Sequence, residues 1–239
     1  MMLRVARHFY RVQKLRIGLG LRIERLKKAN DDTWQFWKNL YNVLEQEEQA
    51  LSEQIEEYGK DHELWHWASG IYGIGPLLFG QLMIELDKTG VQNFEHISSL
   101  WRYCGLAVVD GKAQSRVNGQ AALAWKFNRY VRRTLYNLAE CFVRGGREYR
   151  AIYDDARRKS ESRHPDWNDG HHHNHAMRVV AKIFLAHLWV RARELHGLPV
   201  SLPYPQVILG HGDYIPPVER EKPQRGRKKS HAHRAAHYE

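Results

Sequence analysis

The sequence has little cysteine: Cys104 and Cys141 are the two in 239 residues. That excludes a disulfide scaffold and a four-cysteine zinc site, and it suits a reducing compartment. No apolar run approaches the roughly 20 residues that cross a bilayer. The start, Met1-Met2-Leu3-Arg4, leads into basic sequence rather than into a signal-peptide apolar core. The expectation is a soluble, cytoplasmic protein with no membrane partner. Acid is scarce relative to base, with 27 Asp and Glu against 37 Lys and Arg for a net charge of +10. A pI near 9.6 points to a polyanionic partner, nucleic acid before membrane. What is present excludes a disordered chain: hydrophobic residues make up 43% and aromatics 11%. The length allows one main domain with an extension.

The charge comes in blocks. Residues 1–30 hold nine Lys or Arg and one acid, Glu24, whereas residues 31–64 hold ten acids and two lysines. Residues 110–160 turn basic again, with twelve Lys or Arg and five acids. The two N-terminal blocks are either solvated surfaces or each other's partners. The acidic block carries a heptad stripe of Trp34, Trp37, Tyr41, Leu44, Leu51, Ile55 and Tyr58, in which Glu48 is the one polar slot. That spacing predicts a coiled coil or a long helical hairpin, with residues 34–58 meeting a second copy or a partner helix. Asp31-Asp32-Thr33 offers N-caps. The basic segment also reads as helix, with Gly18 and Gly20 as its weak point.

Trp65 to Leu86 reads WHWASGIYGIGPLLFGQLMIEL. Gly73 and Gly75 allow close backbone approach, and Pro76 suits the first position of a helix. The free N–H groups behind them make an anion site, so Gly73 and Gly75 are candidate phosphate contacts in a helix-hairpin-helix. The bland alternative is a tight turn between two core helices. Residues 94–105 suit a short buried helix ended by Gly105, and Asp110-Gly111 suits the turn of one small β-hairpin. Residues 122–144 read as an amphipathic basic helix with Phe127, Val131, Leu135, Leu138 and Phe142 on its apolar face. Lys112, Lys126, Arg129, Arg132 and Arg133 are the candidate nucleic-acid contacts, and Arg144, Arg147, Arg150, Arg157, Arg158 and Lys159 extend the basic surface. His171 and His175 are four apart at the head of the last long helix, with Asp169 as its cap. These three form a candidate divalent-metal set, with His164 or His211 as other third ligands, against the alternative of a solvated helix start. The stripe Met177, Val180, Ala181, Phe184, Leu185, Leu188 and Trp189 reads as core. After Pro199 the pattern fails, and from Glu219 a polar basic tail is expected to be disordered.

These residues predict an all-α fold: a helix-hairpin-helix-containing helical domain, a long coiled-coil-like N-terminal helix and at most one small β-hairpin. The divisions are 1–30, a basic segment; 31–64, the coiled-coil-like helix; 65–196, the main domain; and 197–239, a Pro-rich basic tail.

The order GIGP-helix, LWRYCGL, DGK turn, FNRYVRRTLYNLA, REYRAIYDDARRK and HAMRVVAKIFLAHLW resembles a known family over about residues 34–190. It is similar to the C-terminal domain of the insertion-sequence transposases, also called bridge-RNA-guided recombinases. The resemblance implies DNA, and as an alternative structured RNA, as ligand. The family joins this domain to a RuvC-like nuclease domain and a coiled coil, and about 33 residues before the heptad run are too few for that nuclease fold. Its nucleophilic serine, in a Ser-Gly-Gly-Lys-like turn, has its place filled here by Val109 or Asp110. Ser115 is the nearby hydroxyl, with no activating base in view. The first expectation is therefore a nucleic-acid-binding protein of transposase descent, acting in transposition or recombination with catalysis supplied elsewhere. The alternatives are an active recombinase using Ser115 or a metal-dependent nuclease using His171, His175 and Asp169, and a protein that packages nucleic acid without specificity.

Overall fold

The computed structural model describes residues 1–109, 111–115, 126–200 and 216–217. Its element order is α1 (Met2–Lys28), α2 (Trp34–Asp61), α3 (Trp65–Ala68), α4 (Pro76–Leu86), a 3-10 turn at Val91–Asn93, α5 (Ile97–Tyr103), β1 (Val108–Val109), β2 (Lys112–Ala113), α6 (Arg129–Gly145), α7 (Glu148–Arg163) and α8 (Asp169–Leu195). The fold is all-α with one two-stranded antiparallel hairpin, pairing Val108 with Ala113 and Val109 with Lys112. Asp110 lies outside the described residues, as do Ala122 to Trp125, His211 and nearly all of the expected tail.

The two N-terminal charge blocks are each other's partners. Lys27 lies over the Trp34 ring, Arg22 over Trp37 at 4.1 Å, and Arg16 over Tyr41. Farther on, His8 pairs with Glu47. One number falls as the other rises, so α1 and α2 run antiparallel. The polar slot at Glu48 has a specific use: its carboxylate accepts from Arg16 Nε and Nη2 and from Gln13 Nε2. The partner helix of residues 34–58 is thus α1 of the same chain. Gly20 does not break α1; a Cβ there would meet Tyr41 at 3.3 Å, so the glycine admits the aromatic. Asp31 Oδ1 accepts from the Thr33 amide, while Thr33 itself makes no side-chain cap.

α4 is the centre of the molecule. Its residues from Phe79 to Leu86 are all buried, as expected of a helix that is apolar nearly all round. Phe79, Leu82, Met83 and Leu86 enter a core shared with α5, α6, α7 and α8. Ile84 enters a second cluster with Phe9, Tyr10, Leu51 and Ile55 of the hairpin. α2 and α4 meet backbone to backbone: a Cβ on Gly80 would sit 2.2 Å from the Ile55 carbonyl oxygen, and one on Gly59 2.5 Å from that of Pro76.

α6 begins at Arg129, later than the sequence pattern suggests. Asn128 is its cap, with Oδ1 accepting from the amides of Tyr130 and Val131. Val131, Leu135, Leu138 and Phe142 are fully buried, and Phe127 lies ahead of the helix. The predicted stripe of α8 is buried throughout. Its cap is Asn168 rather than Asp169, because the Asn168 Oδ1 accepts from the His171 amide at 2.9 Å. Among the described residues no helix is long and apolar enough to cross a membrane.

Gly80→Ala should lower stability by about 2–4 kcal/mol, since main-chain atoms must move to admit the methyl. Gly18→Ala, with nothing within 4 Å of its added Cβ, should raise it by about 0.5–1 kcal/mol. Urea unfolding of the two variants beside the parent checks both signs.

Candidate nucleic-acid interface

A groove of about 1050 Å³ opens between the β-hairpin, the first half of α6 and the chain from His164 to Arg178. One wall comes from the basic helix. Arg132 Nη1 donates to the Gln114 carbonyl at 2.7 Å, which ties α6 to the strand. Its guanidinium also lies over the Phe127 ring. Arg129 reaches the Tyr130 hydroxyl, and Arg133 reaches Gln13 Oε1. Tyr136 and Asn137 continue the same wall.

The opposite wall is α8. Arg178 Nη2 donates to the carbonyls of Leu106 and Ala107, both at 2.9 Å. Its Nε is buried without a hydrogen-bond partner among the described residues. Burial pushes the Arg178 guanidinium below its ordinary value; Tyr136 opposes this and Arg132 adds to it. One turn on, burial and Arg178 push Lys182 down to about 8. The acceptors found for Arg129, Arg132, Arg133 and Arg178 are all neutral, and among the described residues no carboxylate forms an ion pair with any of them. Uncompensated guanidinium groups on two facing walls make a field that attracts a polyanion.

Five of the other expected basic residues are paired with acids. Arg144 pairs with Glu140, Arg150 with Asp154, Arg157 with Glu161 and Asp169, and Arg158 and Lys159 with Asp155. Arg147 lies over the Tyr72 ring. Lys112 and Lys126 are exposed at the hairpin and just ahead of α6.

The histidines of α8 and Asp169 make contacts within the fold. Asp169 is held by Arg157. His172 bonds Ser160 Oγ, His173 bonds the Tyr153 hydroxyl and His187 that of Tyr149, a series of cross-links between α7 and α8. Among the described residues no three His, Cys, Asp or Glu side chains are placed to hold a metal ion, so His171, His175 and Asp169 do not form that set. The rings of His171 and His175 instead lie about 6 Å from the Trp167 ring, at 69° and 62° to its plane. Ser115 is exposed at the end of the hairpin, and among the described residues no base is hydrogen-bonded to it.

Gly73 and Gly75 are not in this groove. Gly73 has φ +96°, and a Cβ there would meet the Cys141 carbonyl oxygen at 3.0 Å, so the loop is fitted to the far end of α6. Gly75 has open space on its Cβ side and precedes the first turn of α4, which has no side-chain cap. Cys141 follows the groove residue Arg132 by nine residues on α6, a rise of about 14 Å from groove to loop.

Residues 67–154 match the Transposase IS116/IS110/IS902 family. The match runs from α3 through the loop, α4, α5, the β-hairpin and α6 into α7, and it supports a role in transposition or recombination. Comparison with curated proteins and with solved structures gave no match. The matched segment supplies the α6 and hairpin wall of the groove, while Trp167 and Arg178 lie beyond it. Sequence reasoning missed both; the available signals were an arginine inside an apolar helix pattern and a tryptophan bracketed by histidines.

Burial and the neighbouring Arg178, His164, Arg163 and His172 hold the His175 imidazole below its ordinary value. The unfolded chain therefore binds this proton more tightly. His175 contributes stability that is full above about pH 6.5 and is lost as pH falls through its folded value. His175→Gln should narrow the loss of stability on acidification relative to the parent. Urea midpoints from pH 7.5 to 5.0 measure it, and parallel curves for the two proteins contradict the assignment.

Proposed function

We propose that the protein binds nucleic acid through the groove between α6 and α8 and acts in DNA transposition or recombination, with the cutting chemistry supplied elsewhere. The observation that carries this is the set of guanidinium groups on facing walls with no carboxylate among them, one wall lying within the transposase-family match. Arg129, Arg132, Arg133 and Arg178 contact phosphates, with Lys112 and Lys126 extending the track. Gly73 and Gly75 present the α4 amides to a further phosphate in the manner of a helix-hairpin-helix. The rise of about 14 Å from Arg132 to the loop contact at Cys141 corresponds to about four base pairs of duplex at 3.4 Å each, a span that one DNA segment can cover. Structured RNA is the second ligand class, favoured by the family resemblance. Val109 or Asp110 in the place of the family's nucleophilic serine supports a binding role over catalysis.

The experiment is duplex binding across a salt series. Log affinity should fall linearly with log salt, and Arg132→Ala with Arg178→Ala should make the slope shallower by about two phosphate contacts, roughly 1.8. Gly75→Asp should weaken binding about tenfold or more by placing a carboxylate at the α4 amides. A parent protein whose affinity does not depend on salt overturns the reading. A matched RNA duplex in the same series separates the two ligand classes.

Self-association belongs to the same proposal. With the heptad seam occupied by α1, the apolar residues that α2 leaves open are Phe36, Leu40 and Val43, which are 72, 45 and 60% exposed and recur at helical spacing. A second copy meets this stripe. The parent should run as an oligomer and Leu40→Glu as a monomer in light scattering, and a monomeric parent contradicts it.

A further inference from the structure

The groove has an aromatic end as well as a cationic one. The loop between α7 and α8 brings the rings of His164 and Trp167 parallel, with centroids 4.2 Å apart and planes within 8°. The loop is set by the Trp167 amide donating to the His164 carbonyl and by Asn168 capping α8. His164 is exposed and Trp167 half-buried, and both line the groove. His171 and His175 flank the indole at about 6 Å, with ring planes steeply inclined to it. Arg178 follows His171 by seven residues on the same helix, a rise of about 10 Å. Asn137 and Asn174, with both donor and acceptor groups, line the space between.

A phosphate track needs only cations. A stacked ring pair beside it offers a surface to a ligand with a free π-face. Bases in a closed duplex have none to offer, because each is already stacked and paired; an extrahelical or single-stranded base does. We propose that the groove receives an unpaired nucleotide, its base stacked on the His164–Trp167 pair and its phosphate held between Arg132 and Arg178. This rests on the nucleic-acid reading above and narrows it to one kind of structure in the nucleic acid. The shared chemistry is the unstacked nucleotide, which DNA or RNA can supply.

The test uses the full chain and fluorescence anisotropy at one salt concentration. The probes are a fully paired DNA duplex, the same duplex with one bulged nucleotide, the same with an abasic bulge, and the three RNA counterparts. The parent should bind the bulged duplex about tenfold more tightly than the paired one, and the abasic bulge should forfeit most of that gain. Trp167→Ala should lose the preference while its affinity for the paired duplex stays within about twofold; Trp167→Phe should keep most of it. Thermal melts confirm that the variants fold, and the abasic probe tests the idea without any variant. Equal affinity for bulged, abasic and paired probes, with the salt dependence intact, overturns this inference and leaves the phosphate reading standing. Failure to bind every probe overturns both. A preference seen with the RNA probes alone assigns the site to an unpaired ribonucleotide, and one seen with both assigns it to the base irrespective of sugar.

Discussion

The buried carboxylate of Glu85 is the constraint on which the placement of the site depends. It stands in the apolar helix α4 with no exposure to solvent, and it accepts from Arg7 Nε at 3.0 Å, Arg7 Nη2 at 3.2 Å and Asn128 Nδ2 at 3.0 Å. The hydrogen bonds to Glu85 raise the Arg7 guanidinium above its ordinary value, against the effect of burial. An unpaired buried carboxylate costs several kcal/mol, so the packing of α4 requires both donors to be in place. Arg7 brings α1 across the core. Asn128, shared with the Tyr103 hydroxyl at 3.1 Å, is the residue whose Oδ1 starts α6. The first residue of a helix sets the azimuth of all that follow. Glu85 therefore acts on where Arg129, Arg132 and Arg133 point, although it lies outside the groove.

Net charge alone does not locate the interface. Arg7, Arg16 and Arg22 of α1 are held by Glu85, Glu48 and the Trp37 ring, and Arg150, Arg157, Arg158 and Lys159 of α7 are matched by acids three or four positions away. Exposed pairs of the latter kind add little stability, but they cancel the local field over distances beyond about 10 Å in ordinary salt. What distinguishes the groove is that no acid is among the described residues lining it. The α6 wall presents three arginines within five residues, and its acid, Glu140, sits two turns on beside Arg144.

The heptad stripe of α2 and the stripe of α8 were legible because burial repeats at the helical period, and each buried side chain answers to its own neighbours on the same face. Even the exception at Glu48 was legible as an exception, though not its partners. The caps were less so. Asn128 and Asn168 each stand beside residues that also cap well on paper, and the choice between them is made by geometry around the helix start. The groove was half legible. Its α6 wall could be read from charge and helical spacing, but its α8 wall depends on how α7 and α8 pack, through hydroxyl–imidazole contacts such as Tyr153 with His173. A run of histidines reads the same whether it binds metal, orders a tryptophan or joins two helices; only the positions of Ser160, Tyr153 and Asp169's partner Arg157 distinguish these.

The two walls also differ in origin. The hairpin and α6 fall within the family match, whereas the Trp167 loop and Arg178 fall after it. In the proposed reading the matched wall follows the phosphates, as a common scaffold would, and the unmatched wall chooses among nucleotides. Val108 and Gly111 line the groove at the turn where the resembling family has its serine. A nucleotide seated between Arg132 and Arg178 would lie beside that turn. On the proposed reading, with Val109 or Asp110 in the place of the serine, a phosphate positioned there is held rather than attacked. In that reading the cationic geometry serves retention of the phosphate, and the aromatic pair across the groove gives that retention its selectivity.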